Sequence, residues 1–420
     1  AEPTPTPAPS PSAVPSPSTE PSPGADLPPS ADLPPSADLS PSTEPSLDAA
    51  SPSPEPDEAD MVVVSASGVR MAQADSVRAP DLAAAYLTGI DVSHHQRDID
   101  FGAVREAGHR FVLMKATENN DHLDTRFATY VGDARAAGLI VGAYHVFDYT
   151  LDGIVQADHF IDRLEAVASV DGLLPPIVDV ECWRDYYGAS IHSVAAARLR
   201  DFVEQVYRRT GLSPVVYVSA YMWREVVGNA AGFEDLPLWA ASWYLESPTI
   251  ADGWDDWAFW QVSNKWRVPG IKGNVDGNYF DGSPKQLRRL RARAFALDSG
   301  AAASAGGTVQ LDLGGRSGSH IRTSEDGQNW SKWRRLKGTP SASIGTDEGS
   351  YTVYAQLRNG PGVRSPIMRD SIVVDATAPE LEAPSVWLRT GPLGEGAASV
   401  PVSVRWTARD ATAGLADAMT

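Results

Sequence analysis

Residues 86–296 alternate short apolar runs with segments of helical periodicity, and this alternation constrains the fold more than any other feature of the chain. Eight runs of strand length occur there, at 87–93, 111–117, 140–147, 175–181, 214–219, 238–243, 257–263 and 274–280. Helix candidates lie between the early runs, at 100–107, 126–137, 154–168, 193–210 and 220–228. Strands that alternate with helices predict a parallel sheet covered on both faces. Eight of them predict a closed α/β barrel, which we expect to be irregular because the last three strands lack clear helical connections.

The first 85 residues differ in composition from the segment that follows. Residues 1–60 hold 18 of the 33 prolines, and the near-repeat ADLPPS-ADLPPS-ADLSPS occupies residues 25–42. Because such a segment has too little apolar surface to offset its ordering entropy, we expect residues 1–85 to be a disordered, acidic linker. A stalk that crosses a cell wall and a plain spacer are both consistent with this composition.

Beyond a linker of small residues at 297–307, the pattern changes to short strands. A hairpin is predicted around Asp326-Gly327, and further strands are predicted at 351–360 and 365–375. We therefore expect an immunoglobulin-like β-sandwich at 308–378. Residues 379–420 begin what we interpret as a second, incomplete β-domain.

The net charge and the single cysteine limit which partners and which kinds of fold stabilisation are expected. The net charge of −19 argues against nucleic acid or an anionic membrane as a partner. No run approaches the roughly 18 apolar residues of a membrane span. Cys182 is the only cysteine, so the fold needs no internal disulfide. We expect the Cys182 side chain to have a packing role only. We interpret Ala1 as a mature end left after signal-peptide cleavage, which predicts a secreted or wall-associated protein.

Acidic residues recur at the ends of the predicted strands. Asp179 and Glu181 are two apart on the predicted strand PPIVDVE, so both side chains should point the same way, with a Cα spacing of about 6.6 Å. Asp91 in GIDVS and Asp276 in NVDGN occupy what we expect to be equivalent strand ends. The carboxyl ends of barrel strands carry catalytic groups, so these four acids are expected to converge on one mouth.

Clustered carboxylates suit glycoside hydrolysis. Like charges raise the pKa of some members of a cluster, which keeps one carboxylic acid protonated near neutral pH. Such an acid can protonate the leaving oxygen while a second carboxylate acts at the anomeric carbon. A single acid at a strand end is more often a cap or a loop hydrogen-bond partner, so the convergence of all four is what carries the prediction.

Two other residue types lie near the same strand ends. The histidines His94, His95 and His145 make metal-dependent hydrolysis the rival interpretation, although no H-x-x-x-H or H-E-x-x-H spacing is present. Aromatic residues near these strand ends could stack on sugar rings, because aromatic faces pack against apolar C–H surfaces. For each of these aromatic residues, packing within the barrel is the competing explanation. These aromatic residues are Tyr144, Phe147, Tyr217, Trp243, Trp260 and Trp266.

The order of these segments resembles the glycoside hydrolase family 25 lysozymes over about 87–290. The matching segments are GIDVSHHQ (89–96), FVLMKATE (111–118), AGLIVGAYH (137–145), PPIVDVE (175–181), PVVYVS (214–219), LWAASW (238–243), FWQVS (259–263) and NVDGNYF (274–280). Two loop positions depart from the family pattern, with Arg97 and Asn119 standing where glycine is common.

The resemblance implies an irregular TIM-like (β/α)5β3 barrel at 86–296 that needs neither cofactor nor metal. It also implies cleavage of the β-1,4 bond between N-acetylmuramic acid and N-acetylglucosamine in bacterial peptidoglycan. Glu181 would be the general acid, Asp179 would assist the substrate acetamido group or a water, and Asp91 and Asp276 would shape the acidic floor. The expected substrate-binding residues are Tyr144, Tyr217, Trp243 and Gln261.

Two other functions remain open on the sequence. In the first, the barrel is degenerate and the protein is a non-catalytic wall-binding or adhesion protein. In the second, it is a metal-dependent deacetylase or amidase that acts on the same polymer. The presence of all four matched acids favours the active glycosidase.

Overall fold

The computed structural model describes residues 86–181, 191–360, 362–377, 380–388, 402–405 and 407–409. The predicted linker at 1–85, Cys182 and most of the predicted second β-domain at 379–420 lie outside the described residues. No helix in the described part of the chain is long and apolar enough to span a membrane.

Eight strands close into a barrel at the centre of the described fold. They are β1 (Leu87–Val92), β2 (Phe111–Glu118), β4 (Ile140–Val146), β5 (Ile177–Asp179), β6 (Val215–Val218), β7 (Leu238–Ala241), β8 (Phe259–Trp266) and β9 (Val275–Phe280). The strand order is β1-β9-β8-β7-β6-β5-β4-β2, and pairing of β1 with β2 closes the ring. A two-residue strand, β3 (His122–Leu123), extends β2 on its outer side. All neighbouring barrel pairs are parallel except those of β9, which runs antiparallel to both β8 and β1.

Five helices connect the first six barrel strands. They are α1 (Phe101–Glu106), α2 (Phe127–Ala136), α3 (Gly153–Val167), α4 (His192–Thr210) and α5 (Ala220–Val227). Residues 242–258 and 267–274, which join β7 to β8 and β8 to β9, are described throughout and contain no helix. A further helix, α6 (Pro284–Leu290), follows the barrel and begins with a capping box formed by Ser283 and Gln286.

Strand alternation separates two apolar cores. Side chains such as Phe111, Tyr217 and Phe259 fill the interior of the ring. The alternate positions, such as Val112, Val216 and Ala240, face the helices and join the larger outer core. Gly89 faces inward where an added Cβ would lie 2.4 Å from the Phe111 ring, so the glycine makes room for that ring in the barrel floor.

The C-terminal region from Ala296 onward is all β. Strands β10 (Ala296–Leu297), β12 (Thr308–Asp312) and β15 (Ser341–Ser343) form one sheet in the order β10-β12-β15. A second sheet has the order β11-β17-β16-β13-β14, formed by β11 (Ala303–Ser304), β13 (His320–Ser324), β14 (Arg334–Arg335), β16 (Gly349–Arg358) and β17 (Met368–Val374). An apolar cluster that includes Val309, Ile321 and Leu357 forms the core of this region. Short strand pairs β18–β21 (Glu380–Leu381 with Ala408–Arg409) and β19–β20 (Ser385–Leu388 with Val402–Arg405) follow.

Residues 297–307, expected as a linker, include β10 and β11. Small side chains did not prevent strand pairing here because the pairing uses backbone groups: Ala303 and Ser304 pair with β17, and Leu297 pairs with Leu311. The expected linker is therefore partly built into the two C-terminal sheets.

Arg316 joins the C-terminal region to the barrel. Its Nε donates to the carbonyl oxygen of Thr210 at 3.0 Å, and its Nη2 pairs with Asp171 at 3.1 Å. The Tyr207 hydroxyl donates to the carbonyl oxygen of Ser317 at 2.8 Å. Thr210 and Asp171 precede β6 and β5, so this junction lies at the amino-terminal ends of the parallel strands.

Close packing of α3 on α4 depends on a glycine. A Cβ added to Gly153 would lie 1.9 Å from the backbone oxygen of Arg198, whereas one added to Gly132 on α2 would meet nothing within 4 Å. We expect Gly153→Ala to lower the free energy of unfolding by about 1–3 kcal/mol, because the helices must separate. Gly132→Ala should raise it by roughly 0.5–1 kcal/mol. Urea unfolding of both variants tests this packing, and equal stability of the two would contradict it.

Candidate active site

Three of the predicted acids lie where the carboxyl ends of parallel strands form the mouth of the barrel. Asp91 is the penultimate residue of β1, and Asp179 is the last residue of β5. Both are largely buried, with 7% and 6% of their surface exposed. Glu181 lies two residues beyond the end of β5 and is half-buried. The expectation that Asp179 and Glu181 share one strand was therefore wrong in detail, because β5 ends at Asp179.

Asp276 reaches the same mouth from the opposite strand direction. It is the second residue of β9, so it lies at the amino-terminal end of its strand and not at the expected carboxyl end. Because β9 runs antiparallel to the other strands, its first residues lie beside their last ones. The register places Asp276 directly opposite Asp91. Strand direction, which the residue pattern did not reveal, is the physical reason for this correction.

Gln261 on β8 holds these two carboxylates together. Its Nε2 donates to Asp91 Oδ2 at 3.0 Å and to Asp276 Oδ2 at 3.2 Å. Its Oε1 accepts from the Tyr217 hydroxyl at 2.8 Å and from Trp243 Nε1 at 2.7 Å. Because the amide oxygen already accepts from two donors, the amide nitrogen must face the acids. Gln261 therefore orients two carboxylates that would otherwise repel each other.

Asn278 and Trp239 complete this network, and the sequence analysis missed both. Asn278, fully buried on β9, donates through Nδ2 to Asp91 Oδ2 at 2.6 Å. Trp239 on β7 donates through Nε1 to Asn278 Oδ1 at 2.8 Å, which fixes the orientation of that amide. A signal for Asn278 was present, because it lies two residues after Asp276 and strand alternation puts both on one face.

Tyr217 lies among all four predicted acids. Burial raises the pKa of its hydroxyl well above the usual value, and the charges of Glu181, Asp179, Asp91 and Asp276 raise it further. Asp179 and Tyr217 are register partners on β5 and β6. Tyr217 therefore lies near enough to be affected by the charges of all four acids, which places them around one region of the barrel.

The predicted aromatic residues divide into two groups. Tyr144 and Tyr217 point into the barrel, where the two rings approach Trp239 at centroid distances of 6.2 Å and 4.4 Å. Trp243 follows β7 and is half-buried above Gln261. Their expected role in substrate binding stays a prediction.

Phe147, Trp260 and Trp266, which were also weighed as sugar-stacking residues, lie elsewhere. Phe147 packs against Phe202 of α4. Trp260 is buried against Tyr279, and Trp266 contacts the same tyrosine. These three side chains serve packing on the outer side of the barrel strands.

A cationic side chain also lies at the mouth. Lys115 on β2 is buried and pairs with Glu118 through Nζ and Oε2 at 2.7 Å. Lys115 is two residues beyond Leu113, the register partner of Asp91. A lysine within the otherwise apolar run FVLMKAT was a signal for this position that the sequence analysis did not use.

The histidines of the rival metal hypothesis do not join the carboxylates. His145 is fully buried on the helix side of β4, stacked on Phe202 and bonded to Thr117 and Gln156. Burial lowers its pKa to about 3. His94 pairs with Asp124 at 3.0 Å. Among the residues that the structure describes, no group of three or more His, Cys, Asp or Glu side chains is placed to hold a metal ion.

Exchanging the amide of Gln261 for a carboxyl group tests the network. We expect Gln261→Glu to lower the free energy of unfolding at pH 7 by about 3–5 kcal/mol, because a third buried carboxylate would face Asp91 and Asp276. The loss should shrink at pH 5, since the introduced carboxyl then takes up a proton more readily and can donate one hydrogen bond. Gln310→Glu on an exposed position of β12 is the control. Urea unfolding at both pH values provides the measurement, and a loss independent of pH would refute the arrangement.

Comparison with known proteins identifies the family of the chain. Residues 90–271 match the sequence profile of "Glycosyl hydrolases family 25". Lysozyme M1 of Streptomyces globisporus is 35% identical over 208 residues, which are 48% of this chain and 70% of that protein. The N,O-diacetylmuramidase of Chalaropsis sp. is 32% identical over 216 residues, covering 48% of this chain and 97% of that protein.

A solved structure also aligns with the barrel region. The bacterial lysozyme from Streptomyces coelicolor is 32% identical, with a TM-score of 0.45 over 49% of this chain and 97% of that chain. The family assignment rests on the sequence profile and on the two relatives above. The chain belongs to glycoside hydrolase family 25 and is a glycoside hydrolase.

Proposed function

We propose that this protein is a muramidase that hydrolyses the β-1,4 bond between N-acetylmuramic acid and N-acetylglucosamine in bacterial peptidoglycan. The observation that carries the proposal is the meeting of carboxylates from β1, β5 and β9 around Tyr217 at one mouth. Glycoside hydrolysis requires such a pair or cluster of carboxyl groups. The names of two relatives, a lysozyme and an N,O-diacetylmuramidase, support the same substrate.

In this proposal Glu181 is the general acid. It is half-buried beyond the end of β5, so its carboxyl group can reach a glycosidic oxygen that enters from solvent. As general acid, Glu181 would donate its carboxyl proton to the leaving oxygen. The proton then moves to the departing sugar hydroxyl as the glycosidic C–O bond breaks.

Asp179 assists at the anomeric carbon. It is buried at the end of β5, next to Tyr217 in the register. Two routes fit its place: it can orient the substrate's 2-acetamido group as an internal nucleophile, or it can activate a water molecule. We favour the acetamido route, because a buried carboxylate is well placed to hold an amide N–H in one orientation. This route predicts retention of the anomeric configuration.

Asp91 and Asp276 form the floor of the mouth and are not proton donors in this scheme. Gln261 donates to both, and Asn278 donates to Asp91, so their charges are oriented and stabilised before substrate binds. A fixed negative floor stabilises the positive charge that develops on the sugar ring in the transition state. Tyr144, Tyr217, Trp243 and Gln261 would contact the glycan.

The organisation of the chain extends the proposal. We assign the barrel at 86–296 as the catalytic domain, with five β/α units followed by three strands, and residues 308–378 as an immunoglobulin-like β-sandwich. The acidic segment 1–85 would act as a linker, and we assign 379–420 to a second β-domain. Because peptidoglycan lies outside the cytoplasmic membrane, we propose that the protein acts as a secreted or wall-associated enzyme.

Replacing the general acid tests the proposed chemistry. We expect Glu181→Gln to lower the rate of wall hydrolysis by about 10²–10⁴-fold, because a positioned general acid contributes an acceleration of that size. Glu106→Gln on the exposed end of α1 should leave the rate unchanged. Release of reducing ends from purified bacterial walls measures both. Equal rates for Glu181→Gln and the parent would defeat the catalytic assignment and favour a non-catalytic wall-binding protein.

The products distinguish the remaining chemical routes. We expect mass spectrometry of the fragments to show new reducing ends at N-acetylmuramic acid, and proton NMR of early products to show the β-anomer. Initial release of the α-anomer would instead indicate a water activated by Asp179. Loss of acetyl groups or peptide stems without new reducing ends would indicate a deacetylase or an amidase.

A further inference from the structure

A cavity rich in arginine lies at the opposite end of the barrel from the carboxylates. Its volume is about 440 Å³, within the range of small-ligand sites. Five arginines line it: Arg105, Arg110, Arg135, Arg288 and Arg291. The wall also includes Leu87 and Ile140, which begin β1 and β4, so the cavity lies at the amino-terminal ends of the barrel strands.

The five arginines come from separate parts of the chain. Arg105 belongs to α1, Arg135 to α2 and Arg288 to α6. Arg110 directly precedes β2, and Arg291 directly follows α6. Their convergence is therefore produced by the tertiary fold and not by one basic sequence run.

The five arginines lack carboxylate partners within the described part of the chain. Among the described residues, none of the five arginines forms an ion pair. The one acidic residue in the cavity wall, Asp171, is paired with Arg316 of the C-terminal region. The chain as a whole carries 54 acidic and 35 basic residues. Five arginines without ion pairs among the described residues leave a concentration of positive charge that a bound anion can balance.

Neighbouring arginines in the cavity also affect one another's pKa. Burial and the nearby charge of Arg291 both lower the pKa of Arg135. The Nε of Arg291 is buried and has no hydrogen-bond partner within the described part of the chain. A buried donor without a partner costs free energy, and an anion in the cavity would supply both the missing acceptor and the missing charge.

We propose that this cavity binds a phosphate-bearing ligand, through arginines from α1, α2 and α6. Guanidinium groups bind phosphate oxygens through paired hydrogen bonds, which gives them an advantage over lysine at such sites. Several arginines in one concavity suit an anion with more than one phosphate. Apolar side chains of Leu87, Leu139 and Leu287 form part of the same wall and suit a carbon skeleton between phosphates.

Two sources share this chemistry: a free phosphorylated small molecule and a phosphodiester polymer attached to a bacterial wall. We therefore use inorganic pyrophosphate and purified poly(glycerol phosphate) as probes. Neither contains a bond that a glycosidase cleaves, so the outcome does not depend on the proposed muramidase activity. Pyrophosphate binding without polymer binding identifies the small-molecule source, and tighter binding of the polymer identifies the wall polymer.

Isothermal titration with a double variant tests the site. We expect Arg105→Gln/Arg288→Gln to weaken binding of the better probe by at least about tenfold, since each lost charge-assisted contact is strong. The control, Arg335→Gln/Arg369→Gln, removes the same charge from two exposed arginines of the C-terminal sheet that form no ion pair among the described residues. We expect the affinity of this control variant for the probe to lie within about twofold of the parent's if the cavity arginines, and not the net charge of the protein, are responsible for binding.

Three results would overturn the proposal. The first is absence of binding of either probe to the parent protein. The second is equal weakening in the two double variants, which would indicate a non-specific charge effect. The third is equal binding of poly(glutamic acid), which would remove the specificity for phosphate.

Urea unfolding midpoints within experimental error of the parent show that the variants are folded, and Arg288→Gln alone provides a milder change at an exposed helix position.

Discussion

The hydrogen bonds from Gln261 to Asp91 and Asp276 are the interaction on which the rest of the site depends. Two carboxylates directly opposite each other on β1 and β9 repel, and the burial of Asp91 strengthens that repulsion because it reduces screening by water. One amide nitrogen placed between them offsets the repulsion. Its own orientation is fixed by Tyr217 and Trp243, so residues on β6, β7 and β8 determine how acids on β1 and β9 are held.

The two ends of the barrel have opposite electrostatic character. Acids gather at the carboxyl ends of the parallel strands, whereas unpaired arginines gather at the amino-terminal ends. The C-terminal region contacts the barrel at the arginine end, where Arg316 bonds to Thr210 and Asp171. The contacts of Arg316 therefore hold the C-terminal region at the end of the barrel opposite the acids. A substrate-binding face and an anion-binding face on opposite ends would allow one molecule to engage a wall at two points.

The sequence predicted much of the barrel because local pattern determines it. Each of the eight apolar runs overlaps a barrel strand, and each helix candidate overlaps a helix, since periodicity depends only on which face is buried. The family and the enzyme class were confirmed.

The direction of β9 was not predictable from its residues, because strand direction depends on how the ring closes. That is why Asp276 was assigned to the wrong strand end while its place at the mouth was anticipated. The roles of Asn278 and Trp239 depend on contacts across strands, which a single sequence does not encode locally.

The central claim is that carboxylates from three strands form one catalytic mouth for a glycan. A crystal structure of Glu181→Gln with a tetrasaccharide of alternating N-acetylglucosamine and N-acetylmuramic acid tests it most directly. We predict that one glycosidic oxygen lies about 2.6–3.2 Å from the side chain at position 181, with the neighbouring acetamido group against Asp179. A saccharide bound elsewhere, with the space between Asp91, Asp179 and Asp276 left to solvent, would contradict the claim.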